Sequence, residues 1–347
     1  MTSLKNPDPL KASADPRRLW LYAPFVVLAI AVVAWTAGWF WMRGEVFRRM
    51  DLGARVLGES GYSVGWGARS LSGFPFRLDL DIAAPRLREV SGWGLSAPGL
   101  KAEAFVFAPD HWVIVAPGGV TLNRRVGGPV TIGAKVLRGS LSEMGAHPPR
   151  LSIEGLGLTF AAAPGASPVA IASAEALHLH AKAGPMDQGA FYVEIDKARS
   201  AGPGLLNDIA ADAPVTLIAD AIFSHAGALR GQGFAGALKG WGEAGGGLNI
   251  RRLSLQAGPV TTEAGSGALA VGGDGRLKGV LDLRVKQGRR LLAAWGARSG
   301  LSPEAATSAQ TVLDAHDRGG VAGVSLNFQA GQTTIGPVAV APAPRVY

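Results

Sequence analysis

Four short constellations in the chain have the residue types and spacing that chemistry needs. Gly231-Gln232-Gly233-Phe234-Ala235-Gly236 fits G-x-G-x-x-G, the turn whose backbone N–H groups cradle a pyrophosphate at a helix N-terminus. With 49 Gly in 347 residues the pattern arises by chance, and neither the strand before it nor the helix after it is evident in the sequence. Gly61-Tyr62-Ser63-Val64-Gly65 fits G-x-S-x-G, which would make Ser63 the nucleophile of a hydrolase. A nucleophile elbow runs strand, turn, helix, whereas here a helical pattern precedes and a strand pattern follows. His178 and His180 put two imidazoles on one face of a strand, a metal-ligand spacing without a third ligand nearby. Asp79 and Asp81 share a strand face as paired glycosidase carboxylates do, but Arg77 stands beside them and a solvated face explains all three. With no cysteine in the chain, thiol catalysis, disulfides, Cys-ligated zinc and iron–sulfur clusters are excluded. No Walker A or H-E-x-x-H sequence is present. The residues therefore indicate a protein that is not an enzyme and holds no cofactor and no metal.

The elements that carry these residues divide into two kinds. From Leu19 to Met42 no residue is charged, and as a helix this run reaches about 36 Å, enough to cross a hydrocarbon core of about 30 Å. Arg17 and Arg18 close one end and Arg43 the other, while Trp20, Tyr22, Trp35, Trp39, Phe40 and Trp41 sit near the two boundaries. The run is longer than the apolar part of a cleaved signal and ends in bulky aromatics, so a retained anchor is expected. Lys5, Lys11, Arg17 and Arg18 on one side balance Arg43, Arg48, Arg49 and Arg55 on the other. Orientation therefore rests on the signal-anchor arrangement: residues 1–18 a cytoplasmic tail, 19–42 the transmembrane helix, and the bulk of the chain exported. Residues 43–60 keep helical spacing through Val46, Phe47, Met50, Ala54 and Leu57, which predicts a juxtamembrane helix.

Beyond Gly61 the period becomes two. Phe74, Phe76, Leu78, Leu80 and Ile82 share one face of a half-buried strand, the candidate for a core face or a lipid groove. Similar short stretches separated by Gly and Pro turns follow to the C-terminus, and a helical insertion is expected near 289–317, with Ser302 as N-cap and Pro303 at the first helical position. The fold class expected is mainly β: an N-terminal transmembrane helix, then an elongated or curved antiparallel sheet domain over 61–347, with two subdomains meeting near 198–212. The chain carries +8 at pH 7, yet no Lys/Arg cluster with interleaved aromatics points to nucleic acid.

Tyr62-Ser-Val-Gly-Trp66, Ser72-Gly-Phe-Pro-Phe-Arg-Leu78, Ala108-Pro-Asp-His-Trp112, the Gly265 to Gly279 stretch and Ile335-Gly-Pro-Val338 together resemble an alphaproteobacterial family catalogued as domain of unknown function 2125. More distantly, Gly273-Asp-Gly-Arg-Leu-Lys-Gly279 is similar to repeats of AsmA-like envelope proteins, which are inner-membrane-anchored, periplasmic and β-rich. The resemblance implies a bacterial inner-membrane protein, single-pass, with a cytoplasmic N-terminus and a periplasmic β domain. Its implied role is to bind or pass a phospholipid or other envelope lipid in cell-envelope maintenance. The alternatives are a non-catalytic scaffold that recruits an envelope protein partner along a sheet edge and, third, an envelope hydrolase. No catalytic residues carry over.

Overall fold

A computed structural model describes residues 16–347; the expected tail lies almost wholly outside the described residues. The chain opens with one 44-residue helix, α1 (Pro16–Glu59), in which the expected transmembrane and juxtamembrane helices are continuous. Its stretch from Trp20 to Glu59 is long and apolar enough to cross a membrane. Gly44 and Gly53 do not break it, because a single glycine costs a helix only about 1 kcal/mol and the flanking residues are good helix formers.

The first strands are β1 (Tyr62–Gly65), β2 (Arg69–Ser72), β3 (Arg77–Ala83), β4 (Arg86–Glu89), β5 (Gly94–Ser96), β6 (Gly99–Phe105) and β7 (Ala108–Val115). Next come β8 (Val120–Asn123), β9 (Val130–Gly133), β10 (Val136–Ser142), and three long strands, β11 (Arg150–Ala162), β12 (Ile171–Ala183) and β13 (Gly189–Ser200). Helix α2 (Leu205–Ala210) leads to β14 (Val215–Phe223), and α3 (Gly233–Glu243) to β15 (Gly247–Ala257), β16 (Val260–Val271) and β17 (Leu277–Lys286). Helices α4 (Gly288–Ser299) and α5 (Pro303–Ala315) form the expected insertion, closed by β18 (Asp317–Arg318), β19 (Val321–Gln329), β20 (Gln332–Ile335) and β21 (Val338–Pro342).

All pairings are antiparallel. From β10 to β17 each strand pairs with the next in sequence, and β17 continues through β19 to β20 and β21. At its N-terminal side the sheet forks on β11. One half of β11 pairs with β10, leading through β7, β6 and β3 to β2; the other half pairs with β9, leading through β8, β5 and β4 to β1. The 198–212 stretch interrupts nothing: β13 and β14 on its two sides pair from Gly189↔Phe223 to Ala198↔Val215, and α2 folds over the sheet.

Three apolar clusters hold the layer. In the first, α1 lies on β2, β3 and β6 with Trp39, Leu71, Leu78, Leu80, Ala102 and Ala104 buried together. In the second, α2 packs Ile209 and Ala210 on Leu158, Val215, Ala257 and Val260. In the third, α4 and α5 cover β17 and β19 to β21 through Leu292, Ala309 and Leu313. The Ser302 hydroxyl accepts the Ala305 N–H (3.2 Å) and Pro303 opens α5, as the N-cap reading predicts.

Candidate functional site: one apolar face across the sheet

Of the five residues read as one face, the structure buries two, half-buries a third and leaves two outside. Leu78 is fully buried, Leu80 nearly so and Ile82 half-buried, all against α1. Phe74 and Phe76 are 51% and 59% exposed, because β3 begins at Arg77 and both rings belong to the preceding turn. The cover over this strand is therefore part of α1 itself. Trp39 is only 4% exposed; its indole N–H donates to the Arg77 carbonyl (3.0 Å), and its ring meets Phe74 edge-on at 5.6 Å. Twelve residues further along the same helix, the Asp51 carboxylate takes a fork of bonds from Arg69 (2.7 and 2.8 Å), so α1 is fixed along the whole length of β2 and β3.

Away from α1 the apolar face continues. Directly opposed residues of an antiparallel pair point to the same side of the sheet, so a face can be followed strand by strand. Starting at Leu71, one row runs through Leu80, Ala102, Ile114, Gly139 and Ile153. It goes on through Leu179, Val193, Ala219, Leu253 and Ala264. A second row beside it joins Trp112, Leu141, Leu151, Ala181, Phe191 and Ala221 to Ile250, Gly267, Leu281, Leu326 and Ile335. Neither row contains a charged or polar side chain, and at about 4.8 Å per strand each is about 50 Å long. Near the middle, Ile153, Leu179 and Val193 are only half-buried, and among the described residues they belong to none of the three apolar clusters; Leu253 packs at the border of the third.

Two recesses deepen this face toward its far end. One of about 300 Å³ lies between α4, α5 and the last strands, lined by Leu283, Val285, Leu291, Trp295, Leu326, Phe328 and Ile335, with Thr333 the polar side chain in its wall. The other, about 440 Å³, lies under α3 and is lined by Phe191, Phe223, Phe234, Trp241, Leu248 and Leu277. Leu277, Leu281, Leu283 and Val285 alternate along β17 onto one side, so both recesses open on the face that carries the rows.

The opposite face is polar. Arg138, Glu154, His178 and Glu194 stand in one register, with an Arg138–Glu154 ion pair at 2.5 Å. His180 Nδ1 bonds the Ser152 hydroxyl (2.9 Å), and burial, then the hydrogen bond to Glu194, push the Tyr192 phenol above its ordinary range. The two imidazoles stack at 6.5 Å, and among the described residues no group of three or more His, Asp or Glu is placed to hold a metal ion. Asp79 and Asp81 also face outward and are ion-paired: Arg77 bridges Asp79 on its own strand and Glu103 on β6, and Lys101 of β6 reaches Asp81 (3.5 Å).

The two glycine motifs lie in β1 and at the start of α3. Ser63 is exposed in β1 opposite Arg88, directly after α1. The helix that the sequence did not reveal after Gly231 does exist, as α3, but it follows a short 3-10 turn over Ala226–Ala228 and not a strand. Its N-terminus is filled: the Glu89 carboxylate accepts the Phe234 N–H (3.1 Å), and the Gly233 N–H donates to the Ser60 carbonyl (2.8 Å). A side-chain carboxylate thus sits where a bound phosphate would.

A family model described as an uncharacterized protein conserved in bacteria (DUF2125) matches residues 39–344. The chain belongs to this bacterial family. The DUF2125 match begins at Trp39, the helix residue buried against β3, so it takes in the end of α1 together with the whole sheet. No curated protein and no solved structure matches the chain. The apolar rows escaped the sequence reading because each strand shows only its own alternation; the pairing register that lines eleven strands up is not written in any one of them.

Proposed function

We propose that α1 spans the bacterial inner membrane, N-terminus cytoplasmic, and holds the β layer on the periplasmic side, where its apolar face binds or passes lipid in envelope maintenance. The observation that carries this reading is the pair of uncharged rows, which run from the helix to the recess under α4 and α5 and lie half-open between. Acyl chains suit such a surface: each buried methylene contributes about 0.8 kcal/mol, so eight of them supply about 6 kcal/mol without any polar recognition. A cavity of about 300 Å³ is at the small end of ligand sites and takes part of a chain, not a whole lipid.

Retention of the helix is supported by packing. Removing residues up to Met42 as a signal would strip Trp39 from the core under β3 and cut the helix that Asp51 fixes to Arg69. The hairpin turn at Gly273-Asp274-Gly275, whose likeness to AsmA-like repeats points the same way, closes β16 on β17 beside the second recess. This reading assigns the protein no covalent chemistry.

The test is photocrosslinking of the full-length protein in native membranes with a phospholipid carrying a diazirine in its acyl chain, followed by mapping of the adducts. Adducts are expected on inner-face residues of β12 to β15 as well as on α1. Adducts confined to α1 would show lipid around an anchor and none on the sheet, and would overturn the proposal.

A further inference from the structure

The turn that leaves Phe74 and Phe76 outside the core is matched by its neighbour. Arg77 pairs with Phe105, and the Val106 N–H donates to the Phe76 carbonyl (3.0 Å), so the β2–β3 and β6–β7 turns form one tip. Phe105 and Phe107 stack on each other there with centroids 5.1 Å apart, and all four phenylalanines are more than half exposed, Phe107 at 73%. Four large apolar rings on two adjacent turns are a patch that a water-facing surface does not keep without a partner.

The helix beside the tip identifies the partner. Trp35 donates its indole N–H to the Pro75 carbonyl (3.0 Å) and packs on Phe76 at 6.0 Å, so the tip is level with Trp35 to Trp39. Counting about 30 Å of hydrocarbon from Leu19 at 1.5 Å per residue ends the apolar layer near Gly38, within that same stretch. Phe40 and Trp41 are exposed on the helix at the same level. The first charges above the rings are Arg77, Glu103 and Asp110, one to three residues up their strands, at the height where headgroups begin.

We infer that the Phe74, Phe76, Phe105 and Phe107 tip inserts into the interface of the leaflet nearest the sheet, as a second membrane contact beside α1, and that the apolar face therefore starts within the lipid layer. This rests on α1 spanning the membrane. The occupant is lipid and not a protein, because the rings continue the aromatic belt of the helix and are held to it by Trp35 and Trp39. Contact here would bring acyl chains to the tip of β3 beside α1, at the edge of the sheet, without crossing water.

The chain has no cysteine, so each introduced thiol is unique. Full-length Phe107→Cys, Val33→Cys and Glu59→Cys variants carry an environment-sensitive fluorophore in phosphatidylethanolamine and phosphatidylglycerol vesicles. Some of these vesicles also contain phosphatidylcholine with a nitroxide near the headgroup end of its acyl chain. Val33 reports the spanning segment, and Glu59, at the far end of α1, lies about 36 Å beyond Trp35. The expected result is quenching at Phe107 comparable to that at Val33, with none at Glu59; Phe105→Cys repeats the measurement on the stacked partner. A Phe107 probe that stays unquenched like Glu59 while Val33 is quenched overturns the inference and leaves the anchor standing. An unquenched Val33 overturns both.

Discussion

If α1 is a structural part of the β layer and not a tether, replacing Trp39 must loosen the strands beneath it. Trp39→Ala removes a ring that is 4% exposed, packs on Leu71, Leu78 and Leu80, meets Phe74 edge-on and gives its N–H to the Arg77 carbonyl. Truncating a buried Trp costs about 3–5 kcal/mol, a figure that already contains most of the lost aromatic pairing and hydrogen bond. At about 4 kcal/mol the local opening of β2, β3 and β6 becomes roughly a thousandfold more frequent, since each 1.4 kcal/mol is tenfold. Hydrogen exchange on the full-length protein in lipid nanodiscs reads this directly as faster exchange of the amides of Leu71, Leu78, Leu80 and Ala102. Trp41→Ala is the comparison: that ring is 70% exposed on the same helix and its loss is expected to change these amides by less than about 0.5 kcal/mol. Equal protection in the two variants would refute the claim that the helix completes this core.

Three further outcomes are expected. Val193→Glu places a carboxylate in the half-open middle of the first row; it is solvated when the face is empty, so the fold survives, and excluding about three methylenes should lower crosslinked lipid roughly fiftyfold. Unchanged adduct yield on β12 to β15 would remove that row from the lipid path. Thr262 Oγ1 is buried without a hydrogen-bond partner among the described residues, so Thr262→Val should raise the denaturant midpoint by an amount worth about 1 kcal/mol; a drop would show the hydroxyl is satisfied. Glu304 sits in the first turn of α5, where its own backbone N–H and then the Ser302 hydroxyl hold its carboxyl below the usual range. A depressed folded-state pKa gives stability that is present above the ordinary carboxylate range and disappears as pH falls through the depressed one. The stability gap between the wild type and Glu304→Gln should accordingly close on acidification, and a gap independent of pH would show that the charge contributes nothing.

Much of the fold could be read from local pattern, and the rest depended on information that is not local. The long uncharged run, the strands of period two and the Ser302-Pro303 start of α5 each rest on a few adjacent residues and are found where expected. The expected transmembrane and juxtamembrane helices form one helix, because hydropathy changes near residue 42 while helix propensity does not. Helix α3 was hidden by its own composition: Gly236, Gly240 and Gly242 lower its propensity, and packing of Trp241 into the sheet supplies what they lack. Phe74 and Phe76 continue the alternation of β3 in sequence, but Gly73 takes a φ of +97° and turns the chain, so alternation alone could not separate the turn from the strand. As for the candidate site, the alternation of Leu78, Leu80 and Ile82 showed one strand of the apolar face. Its extent across eleven strands followed only from register.

The continuity of α1 has a mechanical consequence. Forty-four residues of unbroken helix make a rod of about 66 Å, roughly half in the apolar run and half bolted to β2, β3 and the start of α3. Pro24, the one proline inside the helix, lies far from the junction of the two halves, and a junction of continuous helix does not let them move independently. With α1 spanning the bilayer as proposed, a thinner or thicker bilayer would change the tilt of the apolar half, and the outer half would swing the sheet through the same angle. Membrane thickness would then be an input to the protein, delivered through α1 as its lever arm.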